Sequence, residues 1–152
     1  MKKIFFLFVL FICVNSTIEA QGTTYKTALG LIVWNGYGAS FKTFITEKNA
    51  IEIKGYFDRN GTRLTGLYEF HGEVVGIDGM LWYAGAGAHL GFYNFGGKQS
   101  STFAGIDGVV GIDYKLDSAP IDFFLDWQPT YEFGLSRGAY VSWGGLGIRY
   151  TF

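Results

Sequence analysis

Apolar and polar residues alternate with a period of two over most of this chain, and this alternation limits the possible folds most strongly. Between residues 121 and 133 the odd positions are almost all apolar, and the even positions include Asp122, Asp126 and Glu132. Successive side chains of a β-strand point to opposite faces, whereas an amphipathic helix repeats every 3.6 residues. From residue 24 onward we find no helical period of useful length. The pattern therefore predicts an all-β fold.

Turn residues divide the alternating region into eight segments. Asn-Gly pairs at 35–36 and 60–61 suit tight hairpins, because both residues tolerate positive φ. No linker separates the segments, so the sequence predicts one antiparallel, up-and-down sheet. The predicted strands are Thr24–Trp34, Gly38–Thr46, Ala50–Asp58, Thr62–Gly72, Met80–Tyr93, Thr102–Leu116, Pro120–Phe133 and Ala139–Phe152.

The ionisable residues of these segments keep to one face of each strand. None of them shares the parity of its strand's apolar residues, and this agreement across strands predicts one charged face and one apolar face. The residues are Lys26, Lys42, Glu52, Lys54, Arg63, Glu69, His71, His89, Asp107, Asp113, Lys115, Asp122, Asp126, Glu132 and Arg149.

The size of the apolar side chains indicates which face points inward. An eight-stranded barrel has an interior just wide enough for ordinary side chains, so the aromatic residues of the apolar faces cannot all lie inside. The predicted outward aromatics are Tyr25, Phe41, Phe57, Tyr68, Phe70, Trp82, Phe92, Tyr114, Phe123, Trp127, Tyr131, Phe133, Tyr150 and Phe152. Glycines such as Gly87 and Gly147 occupy the polar faces, where they suit a crowded lumen. The prediction is an eight-stranded antiparallel up-and-down transmembrane β-barrel, closed so that every backbone group is paired in lipid.

The first twenty residues have the order of a secretory signal peptide. Lys2 and Lys3 precede the apolar run 4–14, which is too short for a membrane-spanning helix of roughly 20 residues. We expect cleavage after Ala20, which leaves one barrel domain over residues 21–152. Cys13 lies in the signal run, so the mature domain is expected to have neither disulfides nor thiolate ligands.

Neither histidine belongs to a recognisable catalytic or metal-binding motif in the sequence. His71 and His89 lie on the lumen faces by parity, and no serine is within two strand positions of either. A zinc site needs three or four convergent ligands, which the strand spacing does not establish. We therefore predict no catalytic, metal or cofactor-binding residue, and we interpret the charged residues as a structural network that fills the lumen. A narrow conducting pore is the alternative for the lumen. The formal net charge of −1 gives no basic field for a nucleic-acid partner.

The last residues, "LGIRYTF", resemble the C-terminal signature of bacterial outer-membrane β-barrels, which the barrel-assembly machinery recognises. The match covers Leu146, Ile148, Tyr150 and Phe152. The whole mature chain is similar to small eight-stranded OmpA/OmpX-type barrels, and "WYAGAGAHLGFY", "GIDGVVGIDY" and "LDWQP" look like segments of uncharacterised Bacteroidetes barrel proteins. This resemblance implies a Gram-negative outer membrane and a porin-like superfamily. It also implies lipid and the assembly machinery as partners, and a monomer.

Two functions from different classes follow. The first is a non-enzymatic outer-membrane barrel with a structural, envelope-integrity or surface-interaction role. The second is a small-ligand or lipid-handling barrel, including a lipid-modifying enzyme, since some eight-stranded barrels are lipid A deacylases or palmitoyltransferases. A secreted lipocalin-like binder is a weaker alternative, which the aromatic bulk opposes.

Overall fold

The computed structural model describes residues 25–34, 36–58, 61–94, 100–134 and 138–152, and every regular element among them is a β-strand. The predicted signal peptide lies outside these residues. No described helix is long and apolar enough to cross a membrane. The strands are β1 (Thr27–Val33), β2 (Tyr37–Phe44), β3 (Asn49–Asp58), β4 (Gly61–Glu73), β5 (Met80–Asn94), β6 (Ser100–Lys115), β7 (Ile121–Trp127), β8 (Thr130–Phe133), β9 (Gly138–Tyr140) and β10 (Gly144–Thr151).

The sheet closes on itself. Strand β1 pairs with both β2 and β10, and β10 pairs with β7, which returns through β6 to β5. All of these pairings are antiparallel, and β4 and β3 complete the ring back to β2. Strand β8 continues the path of β7 along β6, and β9 pairs with β8. The closed eight-stranded antiparallel barrel predicted from the sequence is therefore confirmed.

The last two predicted strands are each interrupted once. Residues 128–129 separate β7 from β8, and residues 141–143 separate β9 from β10. Pro129 has no N–H to give to the ladder, which is why the strand ends there. The Pro129 carbonyl still connects this segment to β6, because it accepts a hydrogen bond from the Gly108 N–H at 2.9 Å.

The connections define two ends of the barrel. The terminal end carries Tyr25, Phe152 and the turns 45–48, 74–79 and 116–120. The opposite end is where β1, β3, β5 and β8 finish and where β2, β4, β6 and β9 begin. In the turn 74–79, Gly76 and Gly79 have φ of 88° and 77°, a conformation that favours glycine.

The outward face of the wall is apolar and exposed, as the alternation predicts. Leu31, Ile106 and Leu146 are 67 %, 55 % and 49 % exposed. Exposed aromatic side chains lie near both ends: Phe70, Trp82, Tyr114, Phe123 and Tyr150 at the terminal end, and Trp34, Tyr37, Phe57, Phe92 and Phe133 at the opposite end.

Tyr25 corrects the predicted outward set. It is buried at the terminal end, where its ring lies 5.3 Å from the ring of Phe44 and packs with Ala28 and Ala50. The prediction was wrong because β1 begins only at Thr27, so the alternation of the strand does not extend to Tyr25.

Glycines on the inward face make room for large side chains of the neighbouring strands. A Cβ atom built at Gly105 would collide with the ring of His89, and one at Gly111 would collide with the ring of Tyr83. A Cβ at Gly30 would lie 2.8 Å from Cγ of Arg149. The glycines therefore allow long polar side chains to cross a narrow lumen.

Candidate functional site

The interior of the barrel contains a large group of buried polar side chains, which we call the central cluster. They project inward from β2, β3, β4, β5, β6, β7 and β10, and each is at most 3 % exposed. The central cluster consists of Ser40, Lys42, Glu52, Lys54, Glu69, His71, Tyr83, Asp113, Asp122, Asp126 and Arg149.

Arg149 contacts side chains of four other strands, β2, β3, β6 and β7, across the lumen. Its Nη2 lies 2.5 Å from Oε1 of Glu52, and its Nη1 lies 2.9 Å from Oδ1 of Asp113 and 3.0 Å from Oδ2 of Asp122. Its Nε donates to Oγ of Ser40 at 2.9 Å, and Ser40 donates in turn to Glu52. The rigid fork of donors of a guanidinium suits such a site, because several carboxylates can be paired at once.

Lys42 is the second centre of the cluster. Its Nζ lies 2.9 Å from both Oε2 of Glu69 and Oδ2 of Asp113, and 4.0 Å from the centroid of the Tyr83 ring. Nε2 of His71 lies 3.3 Å from this Nζ and 3.4 Å from Asp113. A buried ammonium with these partners is compensated, whereas an isolated one would be very costly.

Lys54 extends the central cluster toward the opposite end of the barrel. It forms an ion pair with Asp126, and its Nζ lies 3.7 Å from Oε2 of Glu52. The Tyr83 hydroxyl donates to the same Asp126 oxygen at 2.8 Å.

A second group, the outer cluster, lies nearer the opposite end. Arg63 pairs with Asp107, whose second oxygen lies 2.9 Å from Nδ1 of His89. Gln128 donates to Asp107 at 3.2 Å, and Glu132 lies 3.8 Å from both Arg63 and His89. The remaining members are Thr65, which accepts from Arg63, and Thr130, which contacts His89.

Apolar side chains separate the two clusters along part of the wall. Leu67 lies between Thr65 and Glu69 on β4, and Val109 lies between the two clusters on β6. Leu67 and Val109 pack against the Tyr83 ring, and both are at most 3 % exposed. These three side chains are therefore packed together in the interior at this level of the barrel.

Twelve of the fifteen predicted lumen residues are buried members of the two clusters. Glu132 lies at the edge of the outer cluster, and its side chain is 12 % exposed. The lumen prediction was wrong for Lys26, which is exposed at the terminal end, next to Tyr25. Lys115 is a second correction: it is half-buried, and its Nζ donates to the carbonyls of Leu116 and Ala119 in a turn, at 2.6 and 2.7 Å. Both residues stand at strand ends, where parity no longer determines the direction of a side chain.

The prediction from charged residues missed neutral members of the clusters. Ser40, Tyr83, Gln128 and Thr130 all make hydrogen bonds to charged groups or histidine there. Each has the parity of the charged residues on its own strand, so the same signal that found the charges could have found them.

The buried charges are not balanced. Because Lys26 and Lys115 lie outside the clusters, the clusters hold seven carboxylates against four Lys or Arg side chains. The carboxylates are Glu52, Glu69, Asp107, Asp113, Asp122, Asp126 and Glu132, and the cations are Lys42, Lys54, Arg63 and Arg149. Among the described residues, no group of three or more His, Cys, Asp or Glu side chains is arranged to hold a metal ion.

The histidines are held by charged partners rather than by a nucleophile. His71 contacts Lys42, Glu69 and Asp113, and His89 contacts Arg63 and Asp107. Ser40, the serine of the central cluster, is bonded to Glu52 and Arg149. These contacts hold the two imidazole rings and the Ser40 hydroxyl in place among charged groups.

Comparison with known proteins supports the fold. No family model matches the chain, and no curated protein matches it. One solved structure that resembles it is the N-terminal β-barrel domain of OprF from Pseudomonas aeruginosa, with a TM-score of 0.61 and 20 % sequence identity. The match covers 87 % of this chain and 100 % of that domain. At this identity the similarity shows a shared eight-stranded barrel architecture.

Proposed function

We propose that the chain is an integral outer-membrane β-barrel with a structural, envelope-integrity or surface-interaction role and no enzymatic activity. The belt of exposed apolar side chains around a closed wall carries this proposal. Soluble proteins rarely expose a large contiguous apolar surface, and a closed barrel is the sheet structure that leaves no unpaired backbone in lipid. The aromatic side chains toward both ends agree with the interface girdles of such barrels.

The proposal includes export and assembly in a Gram-negative cell of the Bacteroidetes type. The expected signal peptide, residues 1–20, would direct export, and the alternating apolar residues of the final strand, Leu146 to Phe152, would be recognised by the assembly machinery. The connections after β1, β3, β5 and β8 would then face the cell exterior, and the protein would act as a monomer in contact with outer-membrane lipid.

The buried clusters have a structural role in this proposal, because they occupy the lumen. Eight strands enclose little space, and here it holds ion pairs together with the Leu67–Tyr83–Val109 contact. A barrel filled in this way is closed to ions and serves as a rigid body in the membrane.

Two measurements test this proposal together. The expressed protein should be recovered with outer membranes, and its unboiled form should migrate faster than its boiled form on a denaturing gel. Purified barrel in a planar lipid bilayer should give no steady ion conductance under conditions in which a porin standard conducts. Recovery as a detergent-free soluble monomer would contradict the membrane assignment, and stable single-channel currents would contradict the closed lumen.

A further inference from the structure

The opposite end of the barrel contains a pocket that the structural role does not require. Its volume is about 150 Å³, and six described residues line it. Three of them are aromatic, two are oppositely charged and one is glycine. We call it the mouth pocket: Tyr56, Asp58, Gly61, Arg63, Tyr93 and Trp143.

The aromatic walls of the mouth pocket are fixed by packing. The rings of Tyr56 and Trp143 meet edge to face with centroids 5.7 Å apart, and the Tyr56 hydroxyl donates to the Gly144 carbonyl at 2.9 Å. A Cβ atom built at Gly61 would collide with the ring of Tyr93, so glycine is needed for Tyr93 to lie where it does. The walls are therefore formed before any ligand arrives.

Arg63 brings a donor to this pocket. The side chain is 1 % exposed, and its Cζ lies 4.2 Å from the centroid of the Trp143 ring. Its Nη2 pairs with Asp107, but its buried Nη1 has no hydrogen-bond partner among the described residues and lies 3.8 Å from the Glu132 carboxylate. Leaving such a donor unsatisfied costs free energy, which an acceptor on a ligand would recover.

The lining residues point to the chemistry of the ligand. A volume of about 150 Å³ admits one six-membered ring, since an apolar cavity of that size binds benzene. A purely apolar ring would leave Arg63 and Asp58 desolvated without new partners. An anion would be opposed by Asp58. The positive charge of Arg63 is already paired with Asp107 and lies near Glu132, so neutral hydroxyl groups suit both charged residues of the pocket.

We propose that the mouth pocket binds one pyranose unit of a saccharide. Sugar hydroxyls both donate and accept, so one ring can accept from the guanidinium of Arg63 and donate to the carboxylate of Asp58. The C–H faces of the pyranose then pack on the rings of Tyr93 and Trp143. Pockets that combine aromatic walls with a few placed polar groups are the usual form of small-molecule sites.

The test uses full-length mature protein folded in lauryldimethylamine oxide, a detergent without a sugar headgroup. Methyl glycosides of glucose, galactose, mannose and N-acetylglucosamine are titrated while tryptophan fluorescence is recorded. A ligand of this size is expected to bind with a roughly millimolar dissociation constant. Maltotriose and chitotriose are titrated in parallel. If they bind as well as the matching monosaccharide, the ligand is the terminal unit of a glycan; if only the monosaccharide binds, the ligand is a free sugar.

Matched tryptophan variants locate the site. Trp143→Leu is expected to raise the dissociation constant at least tenfold, because it removes a wall of the pocket. Trp127→Leu is the control, because Trp127 is 50 % exposed on the outward face and does not line the pocket. Tyr93→Leu serves as a second variant if Trp143→Leu does not reach the heat-modifiable form.

Three results would overturn the proposal. The first is the absence of saturable binding of every saccharide up to about 50 mM, well above a roughly millimolar constant. The second is unchanged sugar affinity in a folded Trp143→Leu or Tyr93→Leu protein. The third is binding of benzoate without binding of any sugar, which would assign the pocket to anions.

Discussion

The two faces of the barrel wall obey different rules, although the same strands build both. On the outward face of β4, Leu64, Tyr68 and Phe70 are each about half exposed and need only be apolar. On the inward face of the same strand, Arg63 and Glu69 are buried and each has a particular charged partner on another strand. The outward face therefore depends on residue type, and the inward face depends on partner identity. Substitutions can test this difference directly.

The largest effect is expected for Arg149→Met on the inward face. The change leaves Glu52, Asp113 and Asp122 without their shared cation, and breaking a buried pair in this way costs about 3–5 kcal/mol. The free energy of unfolding is measured by urea titration of the barrel in lipid vesicles. The outward neighbour Leu146→Met is the control and should change stability very little. Equal losses in the two variants would erase the difference between the faces.

A charge on the outward face should be the next most costly change. Ile106 is 55 % exposed near the middle of β6, and an arginine there is expected to cost about 2–4 kcal/mol in a lipid bilayer. Ile77→Arg is the control, because Ile77 lies in the turn 74–79 at the terminal end. Urea titration in vesicles compares the two variants. If Ile106→Arg is as stable as Ile77→Arg, the outward face does not contact lipid.

A matched pair of glycines compares the faces without any charge. A Cβ atom at Gly87 would collide with the carbonyl oxygen of Gly66, whereas a Cβ at Gly66 would have no atom within 4 Å. Gly87→Ala is therefore expected to lower the free energy of unfolding by about 1–3 kcal/mol, and Gly66→Ala to leave it nearly unchanged. The reverse order would contradict the close packing of the inward face.

The smallest effect is expected where the cluster carries an excess of one charge. Glu69→Gln removes one carboxylate from a lumen that holds more carboxylates than Lys and Arg side chains, so it should change stability by less than about 1 kcal/mol. Lys42→Met, which removes the other partner of the same ion pair, should cost several times more because Asp113 loses a cation as well. Similar losses in the two variants would show that the charge excess is already compensated within the barrel.

Much of the architecture could be predicted from the sequence, and the errors have a common cause. The alternation of residues 121–133 predicted an outward Phe123 and an inward Asp122, and their exposures follow that parity. Tyr25, Lys26 and Lys115 departed from the predicted directions because they lie at or beyond the ends of strands. Parity is a property of extended backbone, so it carries no information where a strand has not begun or has turned.

The pairing of charges could not be predicted in the same way. Arg149 on β10 meets Glu52 on β3 and Asp113 on β6, and these strands are not hydrogen-bonded to β10. Such contacts depend on the register of every intervening strand pair and on the width of the lumen.

The sequence by itself determined the strands, their two faces and the placement of charge on the inward face. The alternation depends only on neighbouring residues, so the polarity of each residue indicates the face on which it lies. Only the tertiary structure decided which charges meet, that a donor of Arg63 is left beside an aromatic pocket, and that Leu67 and Val109 separate the clusters. Those features arise when the sheet closes, since closure brings residues far apart in the chain across a lumen a few side chains wide.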